Sequence, residues 1–376
     1  MIKTHKNIKS IEAISNWILN SGIQSKEGGF HAWFDLDKKE FSFLYSEITG
    51  YGITALLFLN KLFGKAIFIE NAKKAADWII NCAMHSTGGI KAKLYKDNLT
   101  GDPAYSFKEE NIYSFDTGMV LYGMANLYKI TKENKYIDAS MKIADFLIHR
   151  VQDKEGWFLP IYNGKTGSTE ESFDKWSNQH GSFHAKITLG LVCLYKITKN
   201  EVYRQSVEKI CRNALLMQAK SGRFITNSKD NTTHLHPHCY SIEGLLYTGV
   251  SLNIPEFIEA SQKAVKWMFE QVHKNGLNEI YSPSTKDFND LQRADILAQA
   301  MRLGLILNYK EKIEGLKNTL LSYQYLGAES GQCGGFFYTK GSRHTNSWCT
   351  MFSLQALAID NNDSLASESR SIDLLI

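Results

Sequence analysis

The stretch Phe68-Ile-Glu-Asn-Ala-Lys-Lys-Ala-Ala-Asp-Trp78 decides the fold, because the chain repeats it. Two further copies are Tyr136-Ile-Asp-Ala-Ser-Met-Lys-Ile-Ala-Asp-Phe146 and Phe257-Ile-Glu-Ala-Ser-Gln-Lys-Ala-Val-Lys-Trp267. In each copy, apolar residues recur at the spacing of one helix face. Six glycine turns accompany these helices at a period of roughly 60 residues, which is typical of a repeat architecture. The turns are Gly28-Gly29-Phe30, Gly88-Gly89-Ile90, Gly156-Trp157, Gly222-Arg223-Phe224, Gly276-Leu277 and Gly334-Gly335-Phe336.

A second helix follows each turn after a polar loop, and it is apolar nearly all round. Such a helix is buried, whereas the first helix of each unit carries Lys and Glu on one face. Six outer helices around six inner ones predict an all-α (α/α)6 toroid, a six-hairpin barrel with short β-hairpin or loop insertions at one mouth. An open solenoid is the alternative, but it usually needs polar capping repeats. The predicted inner helices are 49–58, 117–127, 185–194, 241–246, 294–305 and 347–357.

Length and charge narrow the possibilities further. A chain of 376 residues would by length suggest two domains. No linker rich in Pro, Gly or Ser separates the six units, however, so we expect one domain over 1–360 and a polar tail over 361–376. The 43 basic and 39 acidic residues give a net charge of +4. This weak, scattered charge argues against a nucleic-acid partner.

Targeting signals are not evident in the sequence. The first residues contain no apolar core of a signal peptide. No stretch of about 18 apolar residues predicts a membrane span. Several of the six cysteines fall within apolar helix patterns, which is typical of buried free thiols. We therefore expect a cytoplasmic protein, and the oligomeric state is not indicated.

The predicted ring has a natural place for a functional site. The N-termini of the inner helices and the loops before them surround one mouth, where six segments offer backbone N–H groups and positive helix ends. Histidines, tyrosines, carboxylates, an arginine and two tryptophans cluster in these segments, and the outer helices carry nothing comparable. Functional residues are therefore expected at this mouth.

Four carboxylates are candidates for acid and base: Glu47, Asp116, Glu243 and Asp295. Glu47 and Asp116 could instead only stabilise the N-termini of their helices. Asp295 could form a structural ion pair with Arg293. Because a buried carboxylate is costly unless it is used or paired, all four positions are unusual for apolar helices.

Imidazoles form a second group of candidates. The run His234-x-His236-x-His238 suggests a metal site if the segment is extended, as Pro237 would favour. The ligand spacing of structural zinc is absent, so we expect no metal and no cofactor. General acid–base chemistry is the better use for such groups. The candidates for this acid–base chemistry are the imidazoles of His184 and His238 and the hydroxyl of Tyr240.

The six hairpins, the Gly-Gly-Phe turns and the polar starts of the inner helices resemble the six-hairpin (α/α)6 toroid superfamily of carbohydrate-active enzymes, over about residues 8–360. It includes glycoside hydrolases, unsaturated glucuronyl hydrolases, N-acylglucosamine 2-epimerases, glucuronyl C5-epimerases and polysaccharide lyase domains. The Asp-rich signature of the unsaturated glucuronyl hydrolases is not found, and no single family is indicated. Gly334-Gly335-Phe336 and Trp348-Cys349 are also similar to prenyltransferase β-subunits and to terpene and lanthionine cyclases, whose zinc ligands and acidic runs are missing here.

The resemblance implies an enzyme that acts on a glycan or sugar, which could carry a uronate. Hydrolysis by paired carboxylates is the first expectation. Lyase or epimerase chemistry by His or Tyr, a non-catalytic glycan-binding protein and a terpene or peptide cyclase are the alternatives. Aromatic rings would stack on the sugar, and cations, Lys175 among them, would meet its carboxylate. The expected substrate-binding residues are Tyr51, Tyr113, Trp176, His180, Lys186, Arg293, His344 and Trp348.

Overall fold

The structure is a computed structural model that describes residues 6–94, 111–273, 276–327, 331–362 and 374–376. Twelve α-helices lie within these ranges, and each inner helix of the ring is paired with an outer one. The inner helices are α2 (Ser46–Phe63), α4 (Ser114–Thr131), α6 (Thr188–Thr198), α8 (Leu235–Leu252), α10 (Ala294–Ile306) and α12 (Ser347–Asn361). The outer helices are α1 (Lys6–Asn20), α3 (Ala66–Trp78), α5 (Asn134–Phe146), α7 (Glu201–Leu216), α9 (Pro255–Glu270) and α11 (Ile313–Leu321).

The inner helices are far more buried than the outer ones, as the apolar pattern predicts. In α2 every residue from Ile48 to Leu59 is buried, whereas α3 buries only the stripe that faces α2. Small residues let the inner helices approach closely. A Cβ on Gly50 would meet the backbone of Val120 at 2.8 Å, and one on Gly244 would meet the backbone of Ala185 at 2.1 Å. These contacts place six helix starts around a narrow centre.

The ring is closed, which confirms the toroid and excludes the open solenoid. Each inner helix packs against the next one, and α12 packs against both α2 and α10. The first outer helix, α1, packs against α12 and so completes the sixth hairpin. At the mouth, a strand from the first loop pairs with one from the last loop, with Trp33 opposite Asn346.

Short left-handed turns join four inner helices, α2, α4, α6 and α8, to the outer helices that follow them. Lys132 and Lys199 adopt φ values of 60° and 59° directly after α4 and α6, and their N–H groups bond back to the last turn. The next helix begins within three residues. This tight link leaves the long loops, and with them the variable chemistry, at the opposite end of the ring.

Small antiparallel sheets occupy the long loops, as expected for insertions at one mouth. Their orders are β11-β12-β1-β2, β3-β4, β5-β6-β7 and β8-β9-β10. Strands β3, β5, β8 and β12 run directly into inner helices and thereby fix where those helices begin. The strands are β1 (Trp33–Asp35), β2 (Glu40–Phe41), β3 (Leu44–Tyr45), β4 (Lys93–Leu94), β5 (Asn111–Tyr113), β6 (Ile161–Asn163), β7 (Thr169–Glu170), β8 (Thr233–His234), β9 (Ile280–Ser282), β10 (Asp287–Phe288), β11 (Phe336–Phe337) and β12 (His344–Asn346).

The third unit starts its inner helix differently. No strand directly precedes α6; two 3-10 turns, Trp176–Asn178 and Ser182–Ile187, lead into it. The second turn packs against α8 and carries Lys186 into the centre of the ring.

The end of the chain departs from the predicted polar tail in one respect. Residues 363–373 lie outside the described residues. Leu374, Leu375 and Ile376 are described, and they are buried inside the ring because their side chains are apolar. The boundary near residue 360 stays a prediction. Within the described ranges, no helix is both long enough and apolar enough to cross a bilayer.

Candidate active site

A cavity of about 340 Å³ opens among the starts of the inner helices. Its volume is at the lower end of the range of small-molecule sites. Aromatic rings form most of its wall, and two carboxylates lie among them. The lining residues are Tyr45, Glu47, Ile48, Tyr113, Phe115, Asp116, Lys175, Trp176, Ser177, Phe183, His236, Tyr240, Arg293, Tyr338 and Trp348.

Glu47 lies in the first turn of α2 and is the first carboxylate of the cavity. Burial raises its pKa to about 7, although hydrogen bonds from Tyr45 and Tyr51 and the charge of Lys186 favour the ionised form. A carboxyl group with such a pKa can change its protonation state near neutral pH, as an acid or base catalyst must.

Asp116 lies in the first turn of α4 and is the second carboxylate. It is only 5% exposed, and among the described residues its Oδ2 has no hydrogen-bond partner. Burial raises its pKa well above the ordinary value, and the charge of Glu47 raises it further. Buried polar atoms normally have partners, so an oxygen left open beside a cavity is available to a ligand.

The surroundings of the two carboxyl groups favour their protonated forms to different degrees. Glu47 has hydroxyl donors and a nearby cation, whereas the charge of Glu47 opposes ionisation of Asp116, which has neither aid within the described part of the chain. Glu47 is therefore the easier of the two to ionise, and Asp116 is the one more disposed to hold a proton. Two carboxyl groups whose environments separate their pKa values are the usual arrangement of an acid and a base.

Aromatic residues give the cavity flat apolar faces. Trp176 lies on the short 3-10 turn and meets Phe183 edge-on, with ring centroids 5.1 Å apart. Tyr338 and Trp348 form another part of the wall, with centroids 5.8 Å apart. The C–H face of a sugar ring can pack on such surfaces.

Lys175 is the cation of the cavity wall that is available to pair with a substrate anion. Its ammonium group has no salt-bridge partner among the residues that the structure describes. Arg293, by contrast, binds Glu279 and Asp295 at 2.5 Å each and stacks on Tyr338. The cavity therefore offers a substrate anion one free cation, Lys175, and one that is already neutralised, Arg293.

The carboxylate of Asp295 lies behind the cavity wall and is fully paired. Arg293 binds it through two nitrogens, and Trp348 Nε1 donates to Oδ2 at 3.1 Å. Burial alone would raise its pKa, but Arg293 and His236 hold it below the ordinary value. Asp295 and Arg293 therefore form the structural ion pair that the sequence analysis gave as one alternative for Asp295.

Glu243 lies below the floor of the cavity and is likewise paired. Lys186 Nζ donates to Oε2 at 2.6 Å, and Arg302 binds Oε1. All three side chains are inaccessible to solvent. Burial would raise the pKa of Glu243, but the two cations lower it. Neither Glu243 nor Lys186 is among the lining residues.

The histidine run separates because its segment is helical. The N-cap of α8 is His234, and Pro237 lies in the first turn, where the missing N–H does no harm. Residues two apart on a helix face nearly opposite sides. His236 accordingly lines the cavity, whereas His238 points toward α9, accepts from Phe224 N and lies near Ala264 O.

His236 is the imidazole that sequence reasoning passed over. Its Nδ1 lies 2.7 Å from Gln299 Oε1 and 3.4 Å from Asp295 Oδ2, so Nδ1 carries the proton. Burial lowers its pKa to about 4, which keeps the ring neutral with a free lone pair on Nε2. Phe115, Tyr338 and Tyr45 were also missed. Helical spacing from His236 to the predicted Tyr240 was the signal that could have identified it.

The other predicted residues lie at several depths. Tyr240, Tyr113, Trp176 and Trp348 line the cavity. The hydroxyl of Tyr51 is beneath it, 3.0 Å from that of Tyr240.

The predicted histidines lie away from the cavity. His184 is buried against Ser114 Oγ, and burial lowers its pKa to about 3. His180 binds Glu171 in a loop, and His344 stacks on Trp33 in the closing sheet.

No group of three His, Cys, Asp or Glu side chains in the described ranges is arranged to hold a metal ion.

Part of the chain matches a known enzyme family. Residues 93–235 match the model described as Glycosyl Hydrolase Family 88. This stretch contains Asp116 but covers less than half of the chain, and Glu47 lies outside it. No curated protein matches the sequence.

Solved structures of sugar enzymes match nearly the whole chain. A sugar epimerase from a ruminal bacterium is 10% identical, with 93% of this chain and 98% of that chain covered and a TM-score of 0.74. Cellobiose 2-epimerase from Bacillus thermoamylovorans is 12% identical, with 93% and 99% covered and a TM-score of 0.73. An unsaturated glucuronyl hydrolase specific for heparin is 14% identical, with 98% of each chain covered and a TM-score of 0.69.

Identities this low establish the fold alone, and that fold is the (α/α)6 toroid that the repeat predicts. The fold implied by the resemblance is thereby confirmed, and no single family is indicated. Together with the family match, these neighbours support a carbohydrate-active enzyme, a hydrolase or an epimerase.

Proposed function

We propose that this protein is a glycoside hydrolase in which Asp116 is the general acid and Glu47 the general base. The observation that carries the proposal is the pair itself, two carboxyl groups at one aromatic cavity, both with raised pKa values and with surroundings that favour ionisation of Glu47 over that of Asp116. Hydrolysis of a glycosidic bond requires this combination. The match of residues 93–235 to a glycosyl hydrolase family supports it.

In this mechanism the sugar stacks against Trp176 and Trp348. Asp116 gives its proton to the leaving oxygen as the bond from that oxygen to the anomeric carbon breaks. Glu47 takes a proton from the water whose oxygen bonds to the same carbon. A proton then returns from Glu47 to Asp116, so the pair is restored.

The substrate in this proposal is a short sugar with an acidic group. The cavity volume suits one or two sugar rings rather than a long polymer, and Lys175 is placed to meet a carboxylate. An unsaturated glucuronyl disaccharide, the substrate class named for one structural neighbour, is therefore the first compound to test.

The test compares Glu47→Gln and Asp116→Asn with the unchanged protein on that disaccharide and on neutral disaccharides. Each variant should lose about a hundredfold or more in kcat, the usual scale for a general acid or base. Glu171→Gln, on the exposed loop, is the matched control and should keep full turnover. Full activity in both cavity variants would refute the assignment.

Epimerisation at a sugar carbon is the second candidate, because His236 supplies a neutral imidazole at the cavity. Proton abstraction next to a carbonyl needs such a base. Proton NMR of cellobiose incubated with the enzyme in heavy water separates the two functions. Deuterium incorporation that is lost in His236→Ala, with no cleavage, would replace the hydrolase proposal.

A further inference from the structure

The last three residues of the sequence lie inside the ring and are held there by their main chain. Gln355 Nε2 donates to Leu374 O at 2.7 Å, and Leu375 N donates to the hydroxyl of Tyr122 at 3.2 Å. Ile376 N donates to Gln355 Oε1 at 3.1 Å. Such polar pairing inside an apolar lumen marks a built docking site rather than a chance contact.

Lys186 meets this segment at its inner end. Its Nζ donates to the main-chain oxygen of Ile376 at 3.0 Å and to Glu243 at 2.6 Å. Arg302 binds the same Glu243 and also donates to Gln355 at 2.7 Å. Two buried cations thus share one carboxylate, so Lys186 depends on the Ile376 oxygen as its second acceptor.

On its other side, Lys186 lies under the floor of the cavity. Its Nζ is 4.5 Å from the ring centre of Tyr240 and 5.3 Å from that of Tyr51. The two tyrosine hydroxyls are hydrogen-bonded, and Tyr51 reaches Glu47. A continuous set of contacts therefore runs from the docked segment through Lys186 to the carboxylate that we propose as the base.

We propose that Leu374–Ile376 and Lys186 form a positioning unit for Glu47, in which the docked segment fixes the ammonium group beneath the tyrosine pair and thereby favours the carboxylate form of Glu47. The catalytic meaning of this unit rests on the proposed function, but its effect on Glu47 does not. Lys186 acts through Tyr51, Tyr240 and its charge, and it touches no substrate.

The sign of the effect follows from the groups around Glu47. Lys186 and the hydroxyls favour the carboxylate, whereas burial opposes it. Removal of the ammonium group leaves the opposing influence in place, so the pKa of Glu47 should rise. The charged or titratable groups that face Glu47 or share its cavity are Tyr45, Tyr51, Tyr113, Asp116, Lys175, Lys186, His236, Tyr240, Arg293 and Tyr338.

The decisive measurement is the titration of Glu47 by NMR with carboxyl-labelled glutamate, its signal identified by its loss in Glu47→Gln. Lys186→Met and a deletion of residues 374–376 should each raise the pKa of Glu47 and lower kcat by about tenfold to a hundredfold, the scale of a displaced catalytic group. Lys196→Met, an exposed lysine on the following helix, is the matched control and should change neither. The acid limb of the pH–rate profile should move upward with the titration.

The outcomes are separable from those of the proposed function. If Lys186→Met keeps its circular dichroism spectrum and Glu47 titrates as in the unchanged protein, the positioning unit is refuted. If the deletion does not fold, Lys186→Met alone decides. Should Glu47 shift as expected in a protein that cleaves no sugar, the hydrolase proposal fails and the positioning unit stands.

Discussion

At the residue scale, the four acids at or near the centre differ by what surrounds them. Glu243 and Asp295 are matched by Lys186, Arg302 and Arg293, and a carboxylate held by cations is a poor proton donor or acceptor near neutral pH. Glu47 and Asp116 have no such ion pair among the described residues and face the cavity. Glu47 and Asp116 are therefore the carboxyl groups that we expect to take part in proton transfer.

The pH–rate profile should report Glu47. Because the base must be ionised and its pKa is raised to about 7, kcat/KM should fall as the pH drops below about 7. Tyr51→Phe removes a hydroxyl that favours the carboxylate, so the acid limb should move to higher pH. Steady-state kinetics across pH measure both, and an acid limb at the ordinary carboxyl range would contradict the assignment.

Stability should respond to Asp116 in the opposite direction from activity. Its raised pKa means that the folded state binds more protons than the unfolded chain, so stability is lost as the pH rises above about 4. Asp116→Asn should therefore leave Tm unchanged below about pH 4 and raise it at neutral pH. Thermal unfolding at both pH values tests this, with Asp138→Asn on α5 as the exposed control. A variant that is less stable at neutral pH would contradict the buried, unpaired state of Asp116.

The sequence identified all four acids but could not rank them. The partners that neutralise Glu243 come from the third and fifth units, and local spacing says nothing about such distant contacts. Arg293 was the exception, because it lies two residues before Asp295 and the pair was visible in the sequence.

At the element scale, the first turn of α8 decides which histidine can take part in chemistry. Sequence reasoning took Pro237 as a sign of extended chain, but a proline in the first helical turn is well tolerated. As a result, the sequence predicted His238 rather than His236 as a site residue, whereas His236 lines the cavity. The inner helices themselves were predictable, because burial on all sides leaves a continuous apolar pattern that needs no knowledge of partners.

Two substitutions in this turn should have opposite effects. His238→Ala should lower the free energy of unfolding by about 2–3 kcal/mol, because it opens a cavity and leaves Phe224 N without an acceptor, while turnover per folded molecule stays the same. His236→Ala should reduce turnover or substrate affinity and cost less stability. Denaturant unfolding measures the stability of both variants, and steady-state kinetics measure their turnover. If both substitutions lowered stability and turnover equally, the separation into a structural His238 and a functional His236 would be wrong.

At the scale of the whole molecule, glycine turns join each unit to the next, and the sixth turn joins the last unit to the first. Gly28 has φ +115°, and a Cβ there would meet Lys74 O at 2.2 Å. Gly334 has φ +105°, and a Cβ would meet Ala13 O, in α1, at the same distance. The same kind of contact, a glycine turn packed on the backbone of an outer helix, therefore occurs both within the ring and at its closure.

Gly334→Ala should consequently destabilise the entire ring, by about 2 kcal/mol or more, since both the positive φ and the contact with α1 oppose a side chain. Gly341→Ala is the matched control, because its Cβ would meet nothing within 4 Å. Differential scanning calorimetry compares the two. A Gly334→Ala protein with unchanged Tm would contradict a ring closed through this turn.

Closure of the ring also sets the order of events during biosynthesis. The buried face of α1, which includes Ile14 and Trp17, packs on α12 and on the turn around Gly334, and both are made long after α1. At about 5–20 residues per second, the ribosome takes on the order of half a minute to deliver them after α1 emerges. Through that interval the nascent chain carries an unpaired apolar helix, which is the kind of surface that chaperones bind. Of the twelve helices described, α1 is thus made first and is among the last to reach its native partners.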